Sequence, residues 1–421
     1  MMTVTYVDVA VIGGGAAGMA AGLFSAKVGA ETLILEKNEK LGRKMYITGK
    51  GRCNLTNNAT REEFLNEVPR NPKFLYSAIA NLTPQDVMRL VEENGCPVKT
   101  ERGRRVFPVS DKASDVTRAF QHALTEAGCL VRLNSAVTGV TIDTDGSFVL
   151  QTQTGTVHAG ALVIATGGLS YPATGSTGDG YAFAEKLGIP LQPRHPSLIP
   201  LLTSNRFTGE LQGLSLKNVR LTAGAGKKSL YSELGEMLFT EDGVSGPLVL
   251  ELSCHLPHPL PENLQVSIDL KPGLTLEQLR NRLQREITAA GKKSARTVME
   301  TLLPQRLAVT LLDLAQIDPM LQANQLNAAQ RDSLCDLLKA FPLHISGTKP
   351  IAEAVVTRGG VDIKALVPGT MAVRNIENLF FCGEVIDVDA HTGGYNLQIA
   401  FSTGALAGKN AAETALRRKD Y

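Results

Sequence analysis

The chain opens on a pattern of apolar and glycine positions that predicts a strand, a tight turn and a helix. Residues 7–12 form a short apolar run, which is typical of a buried β-strand. Gly13, Gly15 and Gly18 follow in the spacing Gly-x-Gly-x-x-Gly, and small apolar residues then continue at helical spacing. A second apolar run ends at Glu36. This order predicts a dinucleotide-binding βαβ unit, in which the helix N-terminus holds a pyrophosphate and the acid holds a ribose.

The rest of the hydrophobic pattern predicts a split α/β domain and an insert. Apolar runs at 161–165 and 379–382 predict strands that join the sheet late in the chain. From residue 191, prolines and short alternating runs predict a β-rich insert, and Leu, Ala, Gln and Arg at helical spacing predict a helical part from residue 275. We therefore predict an α/β fold with a discontinuous Rossmann-type domain. The expected boundaries are 1–190 and 344–421 for the nucleotide-binding domain, 191–274 for the β-rich insert and 275–343 for a small helical subdomain, with the first residues after 344 still compatible with the insert.

Three later features favour FAD over NAD as the bound dinucleotide. The strand at 161–165 ends in Ala-Thr-Gly, where small residues let the backbone close against a nucleotide. Gly383-Glu384 places a carboxylate after the last strand, where it can hold a ribityl hydroxyl. Gly393-Gly394 opens a helix whose positive end would stabilise the negative charge that a flavin gains on reduction.

Two basic segments are open to more than one interpretation. Residues 37–57 are rich in glycine, lysine and arginine, and such a loop suits phosphates or a flavin ring, although the composition also fits a solvated loop. Residues 102–105 contain three arginines beside Phe107. That segment fits contact with RNA or an acidic substrate, but the composition favours a charged hairpin tip.

Composition narrows the class of protein but not its substrate. The 421 residues are 43% hydrophobic and 20% charged, which is typical of a globular protein of two or three domains. A net charge of +2 gives no whole-chain argument for nucleic-acid binding. The six cysteines show no Cys-x-x-Cys pair and no metal-ligand spacing, so we expect a reduced, cytoplasmic chain without a metal site. No apolar run is long enough to predict a membrane span, and the sequence predicts no oligomeric state.

Several motifs together resemble one flavoprotein family. They are Gly-Lys-Gly-Arg-Cys-Asn-Leu-Thr-Asn at 49–57, Ile-Ala-Thr-Gly-Gly-Leu-Ser at 164–170, Leu-Phe-Thr-Glu-Asp-Gly-Val-Ser-Gly-Pro at 238–247, and Cys-Gly-Glu-Val-Ile-Asp-Val with Gly-Gly-Tyr-Asn-Leu-Gln at 382–398. Over nearly its whole length the chain resembles the BaiN/RdsA-like flavoproteins, also called the HI0933-like or aminoacetone-oxidase-like family. The resemblance implies bound FAD, a Rossmann domain split by β-barrel-like and helical parts, and NAD(P)H as a transient electron donor. Members are associated with reduction of 3-oxo-Δ4/Δ6 bile-acid intermediates, reduction of a uridine of 23S ribosomal RNA to dihydrouridine, and oxidation of aminoacetone.

The motifs and the resemblance together predict which residues contact FAD. They belong to the glycine turn, the basic loop, the two late strand ends and the start of the last helix. The predicted contacts are Gly13, Gly15, Ala16, Ala17, Gly18, Glu36, Lys37, Gly42, Arg43, Lys44, Gly51, Arg52, Cys53, Asn54, Val137, Ala165, Thr166, Gly167, Gly383, Glu384, Gly394, Tyr395, Asn396, Leu397 and Gln398.

Reduction of a conjugated double bond also requires a proton donor. In the expected reaction, hydride passes from N5 of reduced flavin to an electron-poor alkene carbon, and a proton adds to the neighbouring carbon. The candidate donors are Cys53, Tyr395 and His391. For each of the three, a packing or structural role is the favoured interpretation.

The function expected first is NAD(P)H-driven reduction of an electron-poor C=C bond in a small, steroid- or bile-acid-like molecule. One alternative is a 23S ribosomal RNA uridine reductase; others are an aminoacetone-type amine oxidase and a non-catalytic FAD-containing binding protein. The RNA alternative predicts a basic face that unites basic residues of 275–310 with Arg43, Lys44, Arg102, Arg104 and Arg105. Because the chain has no second Gly-x-Gly-x-x-Gly, NAD(P)H is expected to visit the flavin without a domain of its own.

Overall fold

The computed structural model describes residues 3–419, which divide into two compact units. One unit extends to Ser197 and resumes at Ile351, and the other is Leu198–Pro350. The chain therefore leaves the first unit once and returns to it. Strands and helices are numbered along the whole chain.

The first unit contains the first ten strands, the last two strands, the first six α-helices and the last one. The strands are β1 (Thr3–Ile12), β2 (Thr32–Leu35), β3 (Thr56–Asn57), β4 (Val98–Thr100), β5 (Arg105–Pro108), β6 (Leu130–Arg132), β7 (Val137–Ile142), β8 (Phe148–Thr152), β9 (Gly155–Ile164), β10 (Leu191–Ser197), β18 (Val356–Val361) and β19 (Leu379–Phe381). The helices are α1 (Ala16–Val28), α2 (Arg61–Asn66), α3 (Tyr76–Asn81), α4 (Pro84–Glu93), α5 (Ala113–Glu126), α6 (Asp179–Lys186) and α13 (Tyr395–Lys419).

A mostly parallel sheet forms the centre of the first unit. Its strands lie in the order β6-β2-β1-β9-β8-β7, and β19 also pairs with β9. The strands β6, β2, β1, β9 and β19 are parallel, whereas β7 and β8 form an antiparallel meander against β9. Because β19 arrives from the end of the chain and joins the sheet beside β9, the Rossmann-type domain is discontinuous, as the sequence predicts. The carboxyl ends of the parallel strands lie at one edge, where α/β sheets bind ligands.

Helices α1 and α13 pack so closely that two positions of α13 have room only for glycine. A Cβ atom at Gly404 would overlap the carbonyl oxygen of Ala17, and one at Gly408 would overlap that of Ala21. Both residue numbers increase together, so the two helices run in the same direction. Their N-termini therefore point toward the same edge of the sheet.

Two small sheets complete the first unit. β3, β5 and β4 form an antiparallel sheet in that order, and β10 pairs with β18. The first of these sheets carries the basic segment at residues 102–105 as the turn between β4 and β5.

The second unit is an antiparallel sheet with helices. Its sheet has the order β16-β15-β12-β13-β14-β11-β17, and each neighbouring pair of strands is antiparallel, which agrees with the predicted β-rich insert. Its strands are β11 (Leu201–Thr203), β12 (Ser215–Ala225), β13 (Lys228–Phe239), β14 (Gly243–Ser245), β15 (Leu264–Asp269), β16 (Phe341–Leu343) and β17 (Ile345–Thr348), and its helices are α7 (Phe207–Glu210), α8 (Pro247–His255), α9 (Leu276–Ala290), α10 (Ala295–Glu300), α11 (Gln305–Leu314) and α12 (Ala328–Lys339).

The positions of the two edge strands along the chain require this sheet to curve. The edge strands β16 and β17 are separated in sequence by His344 alone, so the sheet has to curl until its two edges approach each other. Leu283 of α9 and Leu334 of α12 are buried in the same core as Phe239 and Ile268 of the strands. The helical part and the barrel-like part therefore share one hydrophobic core.

Among residues 3–419, no helix is both long enough and apolar enough to cross a membrane.

Candidate cofactor-binding and active site

The glycine turn between β1 and α1 is shaped by three different steric requirements. Gly13 has φ of +102°, and a Cβ there would lie 2.6 Å from the carbonyl oxygen of Ala165. A Cβ at Gly18 would overlap the carbonyl oxygen of Gly13, so Gly18 lets α1 pack on the turn. No atom lies within 4 Å of a Cβ placed at Gly15. Gly15 therefore faces open space, which is the position where a ligand phosphate can approach the backbone.

Glu36 is held at the end of β2 by the turn itself. Its Oε2 accepts a hydrogen bond from the backbone N–H of Gly14 at 2.6 Å. Its Oε1 accepts from the backbone and side-chain nitrogens of Asn38, at 2.8 and 2.6 Å. The carboxylate is thereby fixed beside the glycine turn, as an acid that binds a ribose diol would be.

A second fixed carboxylate lies at the end of β19. The Nζ of Lys44 donates to Glu384 Oε2 and to Ser170 Oγ, both at 2.6 Å. Ser170 Oγ and the N–H of Thr357 donate to Glu384 Oε1, each at 2.9 Å. The segments that follow β2, β9 and β19 are thus joined through one carboxylate, with a lysine ammonium beside it.

A cavity with about 1270 Å³ of empty space, part of it open to solvent, lies at the carboxyl ends of β1, β2, β9 and β19. Its lining includes a majority of the residues predicted to contact FAD. These are Gly13, Gly15, Ala16, Ala17, Glu36, Lys37, Gly42, Arg43, Lys44, Val137, Ala165, Thr166, Gly167, Glu384, Asn396 and Leu397.

The other predicted contacts lie outside the cavity lining. They are Gly18, Gly51, Arg52, Cys53, Asn54, Gly383, Gly394, Tyr395 and Gln398. Arg52 forms an ion pair with Glu101 at 2.9 Å and lies over the Phe107 ring. Gln398 is buried and bonds to Thr56 and to the carbonyl oxygen of Leu82.

The cavity also contains residues that the sequence patterns did not single out. They come from the segments that follow β2, β6, β9 and β19, from the start of β18 and from the first turns of α13: Asn38, Met45, Thr48, Ser135, Thr174, Gly175, Ser176, Asp179, Val355, Val356, Val388, Ile399 and Ala400. Those of 174–179 lie in a loop whose glycines were a usable signal. The apolar pair Val355 and Val356 carries no signal of its own, because hydrophobicity does not distinguish a cavity wall from a core.

The polar groups of the cavity suit FAD. Helix α1 begins after Gly15 without a side-chain cap, so the N–H groups of its first turn are available to an anionic ligand. Thr166 Oγ1 is buried in the cavity wall with no hydrogen-bond partner among the described residues, and a bound ligand would satisfy it. Glu36 would hold the ribose, and Lys44 and Glu384 would hold polar groups nearer the flavin.

None of the three candidate proton donors is among the cavity-lining residues. Cys53 is fully buried, and burial raises the pKa of its thiol to about 12. Tyr395 is also buried, with its ring edge-on to Phe64 at 5.2 Å. His391 Nδ1 lies 2.9 Å from Glu67 Oε2, and the His391 N–H donates to the Glu67 carbonyl oxygen. His391 and Tyr395 lie at the start of α13, close in sequence to Asn396 and Leu397 of the cavity lining. Both therefore remain candidate donors.

We expect Cys53→Ala to leave product formation within about twofold of the wild type, because a buried thiol with a pKa of about 12 is not presented to a substrate. Replacement of a true proton donor would slow the product-forming step by about 10²–10⁴-fold and leave the preceding reduction of the flavin unchanged. Anaerobic stopped-flow absorbance separates these two steps. Cys129→Ala, which removes another buried thiol with a pKa of about 12, is the control for a general packing cost.

The parallel sheet, the glycine turn and the two fixed carboxylates define a flavoprotein with a single, discontinuous Rossmann-type domain. The chain matches the family described as HI0933-like protein Rossmann domain over residues 7–410, and it belongs to that family. It is an FAD-dependent oxidoreductase.

Curated relatives align with almost the entire chain. A ribosomal RNA dihydrouridine synthase of Escherichia coli (strain K12) is 34% identical over 396 residues, covering 94% of this chain and 96% of that protein. The protein of the same name from Haemophilus influenzae is 33% identical over 404 residues, covering 94% and 96%. A 3-dehydro-bile acid delta(4,6)-reductase of Clostridium scindens is 30% identical over 409 residues, covering 96% and 99%.

Solved structures resemble the chain in fold. A quinol-fumarate reductase with menaquinol molecules gives a TM-score of 0.52 at 17% identity, covering 99% of this chain and 72% of that one. The 3-ketosteroid delta1-dehydrogenase of Sterolibacterium denitrificans gives 0.50 at 14% identity, covering 97% and 100%. At these identities the likeness concerns the fold alone.

Proposed function

We propose that this protein uses NAD(P)H to reduce a carbon–carbon double bond conjugated to a carbonyl group, and that its substrate is a uridine of ribosomal RNA. The observation that supports this most is the alignment, over 94% of the chain, with two proteins named ribosomal RNA dihydrouridine synthase at 33% and 34% identity. The sequence by itself favoured a small conjugated molecule first. We place RNA first because the relatives of higher identity carry that name.

The reaction is the same for either substrate. A hydride equivalent from NAD(P)H and a proton add across the double bond, so that NAD(P)+ and a saturated C–C bond result. Bound FAD supplies the redox chemistry that links the two substrates. The protein binds and orients: Glu36 and the first turn of α1 hold the nucleotide end, and the Lys44 ammonium holds Glu384 in place by a 2.6 Å hydrogen bond.

The second candidate is a conjugated ketone of bile-acid type. It is favoured by the alignment with the bile-acid delta(4,6)-reductase, which extends over 96% of this chain and 99% of that protein. In this case too the double bond is electron-poor because a carbonyl group is conjugated to it.

The test is anaerobic mixing of the holoenzyme with NADPH or NADH, followed by acceptor. We expect the flavin absorbance to bleach and to recover when large-subunit ribosomal RNA lacking the modification is added, with dihydrouridine then detected by mass spectrometry. Recovery with a conjugated 3-oxo steroid but not with RNA would favour the second candidate. Absence of bleaching would contradict both, and rapid reoxidation in air after reduction by aminoacetone, without NAD(P)H, would indicate an oxidase.

A further inference from the structure

The turn between β4 and β5 carries a cluster of exposed cations. Arg102, Arg104 and Arg105 are all exposed, and Gly103 between them has φ of +74°, which closes the turn. We call residues 98–108 the arginine hairpin. Such a tip on a small antiparallel sheet would be a solvated surface loop if nothing fixed its position.

The structure fixes the arginine hairpin against the start of α13. The Nδ2 of Asn57 in β3 donates to the carbonyl oxygen of Gly103 at 3.0 Å and to that of Gly393 at 3.1 Å. A Cβ at Gly394 would overlap the carbonyl oxygen of Thr56. The Asn57 side chain therefore bridges the hairpin tip and the glycine pair that opens α13. Two of the next residues, Asn396 and Leu397, line the cofactor cavity.

Some of the cations in this region are neutralised by neighbouring acids. Arg52 pairs with Glu101 and with Asp111, which also pairs with Lys99. Arg52 and Lys99 could therefore bind a ligand only if one of these ion pairs were broken. Arg104 is likewise paired, with Glu63 of α2.

Arg102, Arg105 and Lys50 differ from those cations. All three are exposed, and among residues 3–419 none of them has a carboxylate within 4.0 Å. The Arg105 Nε donates to the Arg102 carbonyl oxygen at 3.1 Å, which ties the two arginines into one turn. The excess positive charge is thus local, although the whole chain has a net charge of only +2.

We propose that the arginine hairpin is the phosphate-binding element that docks an RNA substrate beside the cofactor cavity, an inference that rests on the proposed function. Exposed guanidinium groups without competing carboxylates bind phosphate oxygens by paired hydrogen bonds. A base enters a protein cavity only after it is unstacked, which costs a few kcal/mol. Phosphate contacts at a fixed distance from the cavity offset that cost and hold the flanking nucleotides. A neutral steroid has no anionic group for Arg102 and Arg105 to bind.

Arg43 and Lys44 are not part of this surface. Both line the cofactor cavity, and Lys44 is paired with Glu384. The basic face predicted from the sequence therefore divides in the structure into cations that face the cofactor cavity and cations on the hairpin. Residues 275–310 belong to the other unit.

The test is the double charge reversal Arg102→Glu/Arg105→Glu in the holoenzyme, with a large-subunit ribosomal RNA transcript as probe. We expect binding to weaken by about tenfold or more, and the slope of log K against log salt to fall by about 1.4, because two phosphate contacts are lost. FAD content and the rate of flavin reduction by NADPH should stay at wild-type values, since both side chains are exposed and lie outside the cavity lining. The unfolding temperature should fall only slightly, because the exposed hydrogen bond from Arg105 Nε to the Arg102 carbonyl oxygen is lost.

The control for charge reversal is Arg417→Glu/Arg418→Glu at the far end of α13, where two exposed arginines contact Glu413 and the Asp145 carbonyl oxygen. Arg417 is 22 residues beyond Tyr395, or about 33 Å along the helix. We expect this variant to bind the transcript like the wild type. Equal affinity and salt slope for the hairpin variant and the wild type would overturn the role of the hairpin and leave the proposed function standing. Failure of the wild type itself to bind the transcript and form dihydrouridine would overturn the proposed function and, with it, the hairpin proposal.

Discussion

Alanine in place of Gly15 should weaken FAD binding by about tenfold or more while leaving the stability of the apoprotein unchanged. The backbone of Gly15 has φ of −76° and ψ of −169°, a conformation that alanine adopts readily. No protein atom lies within 4 Å of the added Cβ, so the substitution meets no steric obstacle in the apoprotein. The methyl group instead enters the cavity at the start of α1, where the phosphates of the cofactor approach the backbone.

Two other glycines make this experiment specific. Gly369→Ala also places a Cβ with no atom within 4 Å, and Gly369 lies outside the cavity lining, so we expect it to change neither property. Gly18→Ala would place a Cβ against the Gly13 carbonyl oxygen and should destabilise the apoprotein itself. Titration of apoprotein with FAD, followed by flavin fluorescence, and thermal unfolding without FAD distinguish the three variants. Wild-type FAD affinity in a folded Gly15→Ala protein would show that no ligand approaches the backbone there.

The parts of the fold that the sequence predicts are those with local patterns. The glycine spacing at 13–18 and the acid at Glu36 belong to one βαβ unit, and their geometry follows from about thirty consecutive residues. Helix α4 extends from Pro84 to Glu93. A capping box formed by Thr83 and Asp86 marks its start. The barrel-like form of the insert came from the family resemblance, since short alternating strands predict only a β-rich segment.

The network around Glu384 could be predicted only in its separate members. Lys44 and Glu384 were both expected to contact the cofactor, but the bond between them joins residues 340 positions apart. It depends on β19 entering the sheet next to β9, and no local pattern encodes that pairing. Thr357 and Ser170 complete the network from two further segments, and neither carried a sequence signal for this role.

The motif at residues 49–57 shows a different limit of sequence reasoning. It identifies the family, yet the structure uses much of it for packing. Lys50 and Cys53 both have positive φ, of 59° and 62°, and this tight turn directs Cys53 into the core. A specific motif therefore identifies residues that a family shares without distinguishing those that touch the cofactor from those that shape the loop.

Alanine in place of Asp389 should lower the free energy of unfolding by about 3 kcal/mol, because it breaks a buried ion pair by removing one partner. Asp389 has no exposed surface. One carboxylate oxygen pairs with the Arg70 guanidinium, and the other accepts a hydrogen bond from Ser197 Oγ at 2.5 Å. The Arg70 side chain remains 23% exposed, so solvent moderates the loss and places it at the lower end of the range for buried pairs.

The same substitution should also weaken FAD binding, because Asp389 anchors the loop that carries part of the cavity wall. Its neighbour Val388 lines the cavity, and on the other side Asp387 is held by Asn71 Nδ2, which donates to the Asp387 carbonyl oxygen at 3.0 Å. Urea unfolding measures the stability change, and hydrogen exchange at residues 387–391 measures the loosening of the loop. Asp143→Ala, in an exposed turn, should change stability by less than about 0.5 kcal/mol. A loss below about 1 kcal/mol for Asp389→Ala would mean that desolvation of the two charges already cancels their attraction. Recovery of wild-type stability in Arg70→Met/Asp389→Leu would assign the cost to the broken ion pair rather than to the shape of the loop.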